Sequence, residues 1–80
     1  MKVHELKCHS GPFQSVYAGV KSFEIRVNDR DYQVGDSLHL KEYDPKTNSY
    51  SGRWVSKRIT YMIHGGNYGL PENLVVMAIV

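Results

Sequence analysis

The sequence predicts a small α+β domain, mainly β: a barrel of about five or six short strands with one short helix covering an opening. Three observations carry this expectation. Eighty residues leave room for a single domain, residues 1–80. Polar turn clusters interrupt the chain about every eight to twelve residues, a spacing that suits short strands. Only one segment has the apolar periodicity of a helix.

Val3–Cys8 alternates Val3, Glu5 and Lys7 against His4, Leu6 and Cys8, a weak first strand. The helix follows. Pro12 suits the first helical position, where its missing N–H would have no partner. Phe13, Val16, Tyr17 and Val20 form one stripe, and Gly19 is placed to end it in a left-handed conformation. Ser22–Asn28 alternates cleanly, with Phe23, Ile25 and Val27 expected inward and Glu24, Arg26 and Asn28 outward. A strand over about 37–43 points Leu38 and Leu40 inward. Asp44-Pro45-Lys46-Thr47-Asn48 is a hairpin loop. A long strand runs from Tyr50 to Ile63, with a bulge or bend expected near Lys57. Gly65–Gly69 reads as a flexible loop, and the apolar run Leu74–Val80 as a strand buried on both faces.

Ten basic and eight acidic residues leave a net charge of +2. That balance excludes a histone-like tail and does not by itself demand nucleic acid. The one cysteine, Cys8, rules out an internal disulfide, and the longest apolar run is too short for a membrane helix. With no apolar leader after Met1, a soluble, cytoplasmic protein with no membrane partner is expected.

Several side-chain groupings invite chemistry. His4, Cys8 and His9 lie close together, but no second cluster completes a four-ligand set, so no metal and no cofactor are expected. Cys8 reads as a buried, inert thiol. Gly65-Gly66-x-x-Gly69 lacks the Gly-Lys-Ser/Thr ending of a phosphate loop and reads as a connection, with a mobile flap carrying Tyr68 as the alternative. Lys21, Glu24 and Arg26 gather at the helix–strand junction. They could bind phosphate, or Lys21 could act as a base beside Glu24. Spacing alone favours a solvated outer face with a weak Glu24–Arg26 pair. Tyr32, Tyr43, Tyr50, Trp54, Tyr61 and Tyr68 are interleaved with Arg30, Lys41, Arg53, Lys57 and Arg58. On one sheet face they would make a stacking platform for single-stranded bases; as core-edge residues they would not.

The octapeptide Gly19-Val20-Lys21-Ser22-Phe23-Glu24-Ile25-Arg26 resembles the G-x-K-x-x-E-x-R signature of ASCH domains, a branch of the PUA-like superfamily. Every specified position matches: Gly19, Lys21, Glu24 and Arg26. The segments Asn28–Asp36, Leu38–Pro45, Ile59–Leu70 and Val75–Met77 also look like small bacterial and phage members. The resemblance spans nearly the whole chain. It implies a PUA-like β-barrel with the signature lining a cleft between helix and barrel, proposed in that family to bind RNA or a nucleotide-like ligand. A branch similar in fold hydrolyses N4-acylated cytidines, with lysine as base and a threonine where this chain has Glu24.

Two function classes follow. The first is a module binding RNA, other single-stranded nucleic acid or a nucleotide-like molecule. Lys21 and Arg26, helped by Arg53, Lys57 or Arg58, would meet phosphates, Glu24 would line the cleft, and Tyr32 or Tyr68 would meet a base. The second is an amidohydrolase with Lys21 as base and Glu24 orienting it. Residue chemistry favours binding, because the set has no evident side-chain nucleophile.

Overall fold

The computed structural model describes residues 1–80. The elements in order are β1 (Val3–His9), α1 (Ser10–Tyr17), β2 (Phe23–Val27), β3 (Ser37–Asp44), β4 (Ser49–His64) and β5 (Leu74–Ile79). They form one five-stranded sheet in the order β1-β3-β4-β5-β2. β1 and β3 run parallel, and the other pairs are antiparallel. β4 is long enough to serve both halves, pairing with β3 through its first part and with β5 through its last.

The sheet is not closed into a barrel. β1 and β2 are its two edges and do not pair. A side chain bridges them instead: Arg26 Nη2 donates to the Lys7 carbonyl at 3.1 Å.

The core is one cluster in which Phe13, Val16, Leu38, Leu40, Ile59, Val75 and Met77 are fully buried, with Leu6, Cys8, Tyr32 and Ile79 around them. β1 buries His4, Leu6 and Cys8, in the expected phase. The helix buries only Phe13 and Val16; Tyr17 and Val20 are exposed. Its end follows the expected chemistry. Gly19 takes φ +78°, and the amides of Val20 and Lys21 both donate to the Ser15 carbonyl, at 2.9 and 3.0 Å.

β2 has the expected alternation and the opposite sense. Glu24 is buried, whereas Phe23, Ile25 and Val27 are 44–51% exposed. They pair with Ala78, Val76 and Leu74 on the outward face of β5, so Val76 also points out and Val75, Met77 and Ile79 point in. The apolar row is only half covered, but the inward face gains a buried carboxylate with two cationic partners.

β4 is irregular at two places, neither of them Lys57. Ser51–Arg53 stand opposite Glu42 alone, with Gly52 at φ +95°, and Thr60 is the extra residue between Ile59 facing Ile79 and Tyr61 facing Ala78. The Gly65–Gly69 segment is a hydrogen-bonded turn, with Gly66 and Leu70 amides donating to the Leu70 and Asn67 carbonyls. Gly65 is required by close approach, since a Cβ there would lie 2.2 Å from the Pro71 carbonyl oxygen.

Two further buried carboxylates tie the ends of the sheet. Asp36 accepts from the Lys2 and Gln33 amides at 3.0 and 3.1 Å and pairs with His4 Nε2 at 2.8 Å. Glu42 accepts two bonds from Arg53, both 3.0 Å, and one from Ser51 at 2.6 Å. Arg53 also lies over the Phe13 and Tyr17 rings, fastening α1 to the β3–β4 hairpin.

These contacts set a pH dependence. Backbone and His4 hydrogen bonds hold the Asp36 carboxyl down at about 2, against 3.8 ordinarily. Hydrogen bonds from Arg53 and Ser51 hold Glu42 at about 2, against 4.5. A group depressed in the folded state adds stability above its unfolded pKa and loses it as pH falls through the folded one. Unfolding followed by circular dichroism should therefore show stability full above about pH 5 and declining toward pH 2. Asp36→Asn should flatten that decline, and a mutant as acid-sensitive as the parent would contradict the assignment. In urea, Phe13→Ala should cost about 3–5 kcal/mol. Phe23→Ala should cost less than about 1.5 kcal/mol, as suits a half-exposed side chain. Equal losses would place Phe23 in the core after all.

Candidate functional site

The signature residues do converge. The turn closed on Ser15 brings Lys21 back over β2, although it is out of phase with the strand. Its Nζ donates to Glu24 Oε1 at 2.7 Å, and Arg26 Nε donates to Glu24 Oε2 at 2.9 Å. Glu24 is 3% exposed, so each carboxylate oxygen is claimed by one cation in a largely dehydrated setting. The expected solvated pair on an outer face is instead a buried clamp. Lys21 is thereby engaged with Glu24 as a hydrogen-bond donor.

Two recesses meet at Arg26. The smaller, about 250 Å³, lies between the start of α1 and β2 and is lined by Lys7, Cys8, His9, Pro12, Glu24, Ile25 and Arg26. The larger, about 780 Å³, is the open trench between the edges β1 and β2. Its walls carry Lys7, Arg26, Arg30 and Lys41 against Glu5 and Asp29, with Tyr50 at one side. Lys7 and Arg26 belong to both recesses. Cys8 is buried, and loss of water with Glu24 nearby raises its thiol pKa. No three His, Cys, Asp or Glu side chains come together as a metal-binding group.

The other expected ligand contacts are scattered. Tyr32 reaches the trench but is 2% exposed, its ring packed 4.7 Å from that of His4. It is part of the core and cannot offer a face to a base. Arg53 is bound to Glu42 and Gln14 on the helix side. Lys57 pairs with Leu38 and is half-buried on the inward side, whereas Arg58 pairs with Ser37 and is exposed on the outward side. Tyr68 is 92% exposed at the tip of its turn and lines neither recess.

Lys7 was not among the expected residues. It enters because β1 pairs with β3 in parallel, which sets Lys7 beside Lys41 at the rim of the trench. Only its alternation with Leu6 and Cys8 signalled an outward position.

Glu24→Gln should destabilise the fold by about 1–3 kcal/mol, because it removes the charge from bonds to two cations. Thermal unfolding checks this. No change in stability would mean that the clamp contributes nothing to holding β2.

No helix is long and apolar enough to cross a membrane. A protein of Escherichia phage P2, the "uncharacterized 12.9 kDa protein in GpA 3'region", is 42% identical over 59 residues, covering 74% of this chain and 52% of that protein. The chain thus spans about half the length of this relative. The family model DUF3850, a domain of unknown function, matches residues 3–79, and the chain belongs to that family.

Proposed function

We propose that the chain is an ASCH-like module of the PUA-like type, a barrel left open between β1 and β2. Its trench would receive RNA, another single-stranded nucleic acid or a nucleotide-like ligand. One observation carries this reading: four cationic side chains from three strands and a loop line one groove, against two acidic ones. A phosphate chain is recognised by such convergence of positive charge. Glu24 has a supporting part, holding Arg26 so that it spans from β2 to the Lys7 carbonyl at the floor. Lys7, Arg30 and Lys41 are then the cations that meet phosphates. Tyr50, 49% exposed and with Lys41 over its ring, adds an aromatic surface.

The expected strength is modest. Three or four phosphate contacts, each releasing about 0.7 counterions, give a log–log salt slope near −2 to −3. Fluorescence anisotropy of a labelled six-nucleotide RNA should show binding that weakens with salt at that slope. The triple variant Lys7→Ala, Arg30→Ala, Lys41→Ala should bind more weakly and lower the slope by about two units. Equal affinity and slope for variant and parent would place nucleic acid elsewhere or nowhere on this domain.

A further inference from the structure

The trench does not end at β1. Residues pointing outward from β1, β3 and β4 stand in rows across the three strands: Val3 with Ser37 and Arg58, Glu5 with His39 and Ser56, and Lys7 with Lys41 and Trp54. The third row starts with Lys7 and Lys41, which line the trench, and continues to Trp54. With strands about 4.8 Å apart, Trp54 lies roughly 10 Å from Lys7.

This face has the chemistry of a base-stacking surface. Trp54 is 56% exposed, although a tryptophan ring gains much from burial. His39 stacks on the indole with centroids 4.7 Å apart and planes 27° from parallel. That contact supports one side of the ring while more than half of the residue stays open. Beside it, Lys41 lies over the Tyr50 ring at 5.1 Å and Lys7 over the Tyr43 ring at 4.5 Å. Tyr43, itself buried, supports the half-exposed Tyr50 edge to face, so Trp54 and Tyr50 are the open rings of this face. Within the three rows, Lys7, Lys41 and Arg58 face a single acid, Glu5, itself 3.5 Å from Lys41. Exposed aromatic rings interspersed with cations form a surface on which bases of any sequence stack while phosphates are neutralised.

We propose that this outer face continues the trench as a stacking platform for single-stranded nucleic acid, with Trp54 the ring on which a base is laid. The inference rests on the trench reading above and narrows it. The ligand is a strand of several nucleotides running from the trench onto the sheet, not a mononucleotide confined to the trench. Such a length is within the ~4–16 nucleotide footprint of small single-strand-binding folds. The platform faces away from the Glu24 clamp and the core, so the two sites can be altered separately.

Trp54 is the only tryptophan, so its fluorescence reports this face directly. The full chain is titrated with uridine monophosphate and with two- and six-residue oligouridylates, while anisotropy of labelled six-residue strands measures affinity independently. Expected are quenching of Trp54 by the hexamer, hexamer affinity at least tenfold above the monophosphate, and a five- to hundredfold loss in Trp54→Ala with unchanged thermal unfolding. Hexamer binding with constant Trp54 fluorescence and undiminished affinity in Trp54→Ala would overturn the platform and leave the trench reading standing. If neither monophosphate nor oligomer binds, the trench reading fails and this one falls with it.

Discussion

Glu24 is the contact around which the sheet is arranged. A carboxylate at this depth is costly unless both oxygens are bonded, and here Lys21 and Arg26 bond one each. That requirement sets the sense of β2. With Glu24 and Arg26 turned inward, Phe23, Ile25 and Val27 face out, where the apolar outward side of β5 partly shelters them. Arg26 then carries the arrangement across the gap by donating to the Lys7 carbonyl, and it does what a ladder of backbone bonds would do in a closed barrel. One side chain cannot close a sheet, so the gap persists as a trench lined with charge.

Each of the three buried carboxylates joins parts of the chain that the backbone ladder leaves loosely connected. Asp36 fastens the start of β1 to the turn before β3, Glu42 takes the arginine that packs α1 on the hairpin, and Glu24 links the helix exit to β2 and, through Arg26, to β1. A domain of this size has little core to spare, and satisfied polar ties of this kind specify geometry where apolar packing is thin. Among the cations whose side chains are not committed to these ties, Lys7, Lys41, Arg30 and Arg58 lie on the outer rim and the open face.

Much of the architecture was legible. Alternation marks β1 to β4, and a continuous apolar run marks β5. Gly19 marks the end of the helix, whereas its start is at Ser10, two residues before the expected Pro12. Lys21, Glu24 and Arg26 group at one junction. Alternation gives the period of a strand but not which half of it faces the core, and in β2 hydrophobicity pointed the wrong way because the ion partners of Glu24 are three residues before and two after it. Tyr32 reads as a ligand contact beside Arg30, but its ring packs on His4, which lies far away in the sequence and is itself held by Asp36. Lys7 was overlooked because the parallel pairing of β1 with β3 is a long-range choice that no local pattern records.

The proposed surface for single-stranded nucleic acid is the trench between the two unpaired edges, together with the sheet face beside it. Backbone amide shifts of the isotope-labelled domain during titration with a short RNA test it residue by residue. The shifts are expected to cluster at Glu5–Lys7, Ile25–Arg30, Lys41, Tyr50 and Trp54. Shifts confined to the Gly65–Gly69 turn or to the exposed side of α1, or none at all at saturating RNA, would contradict the proposal.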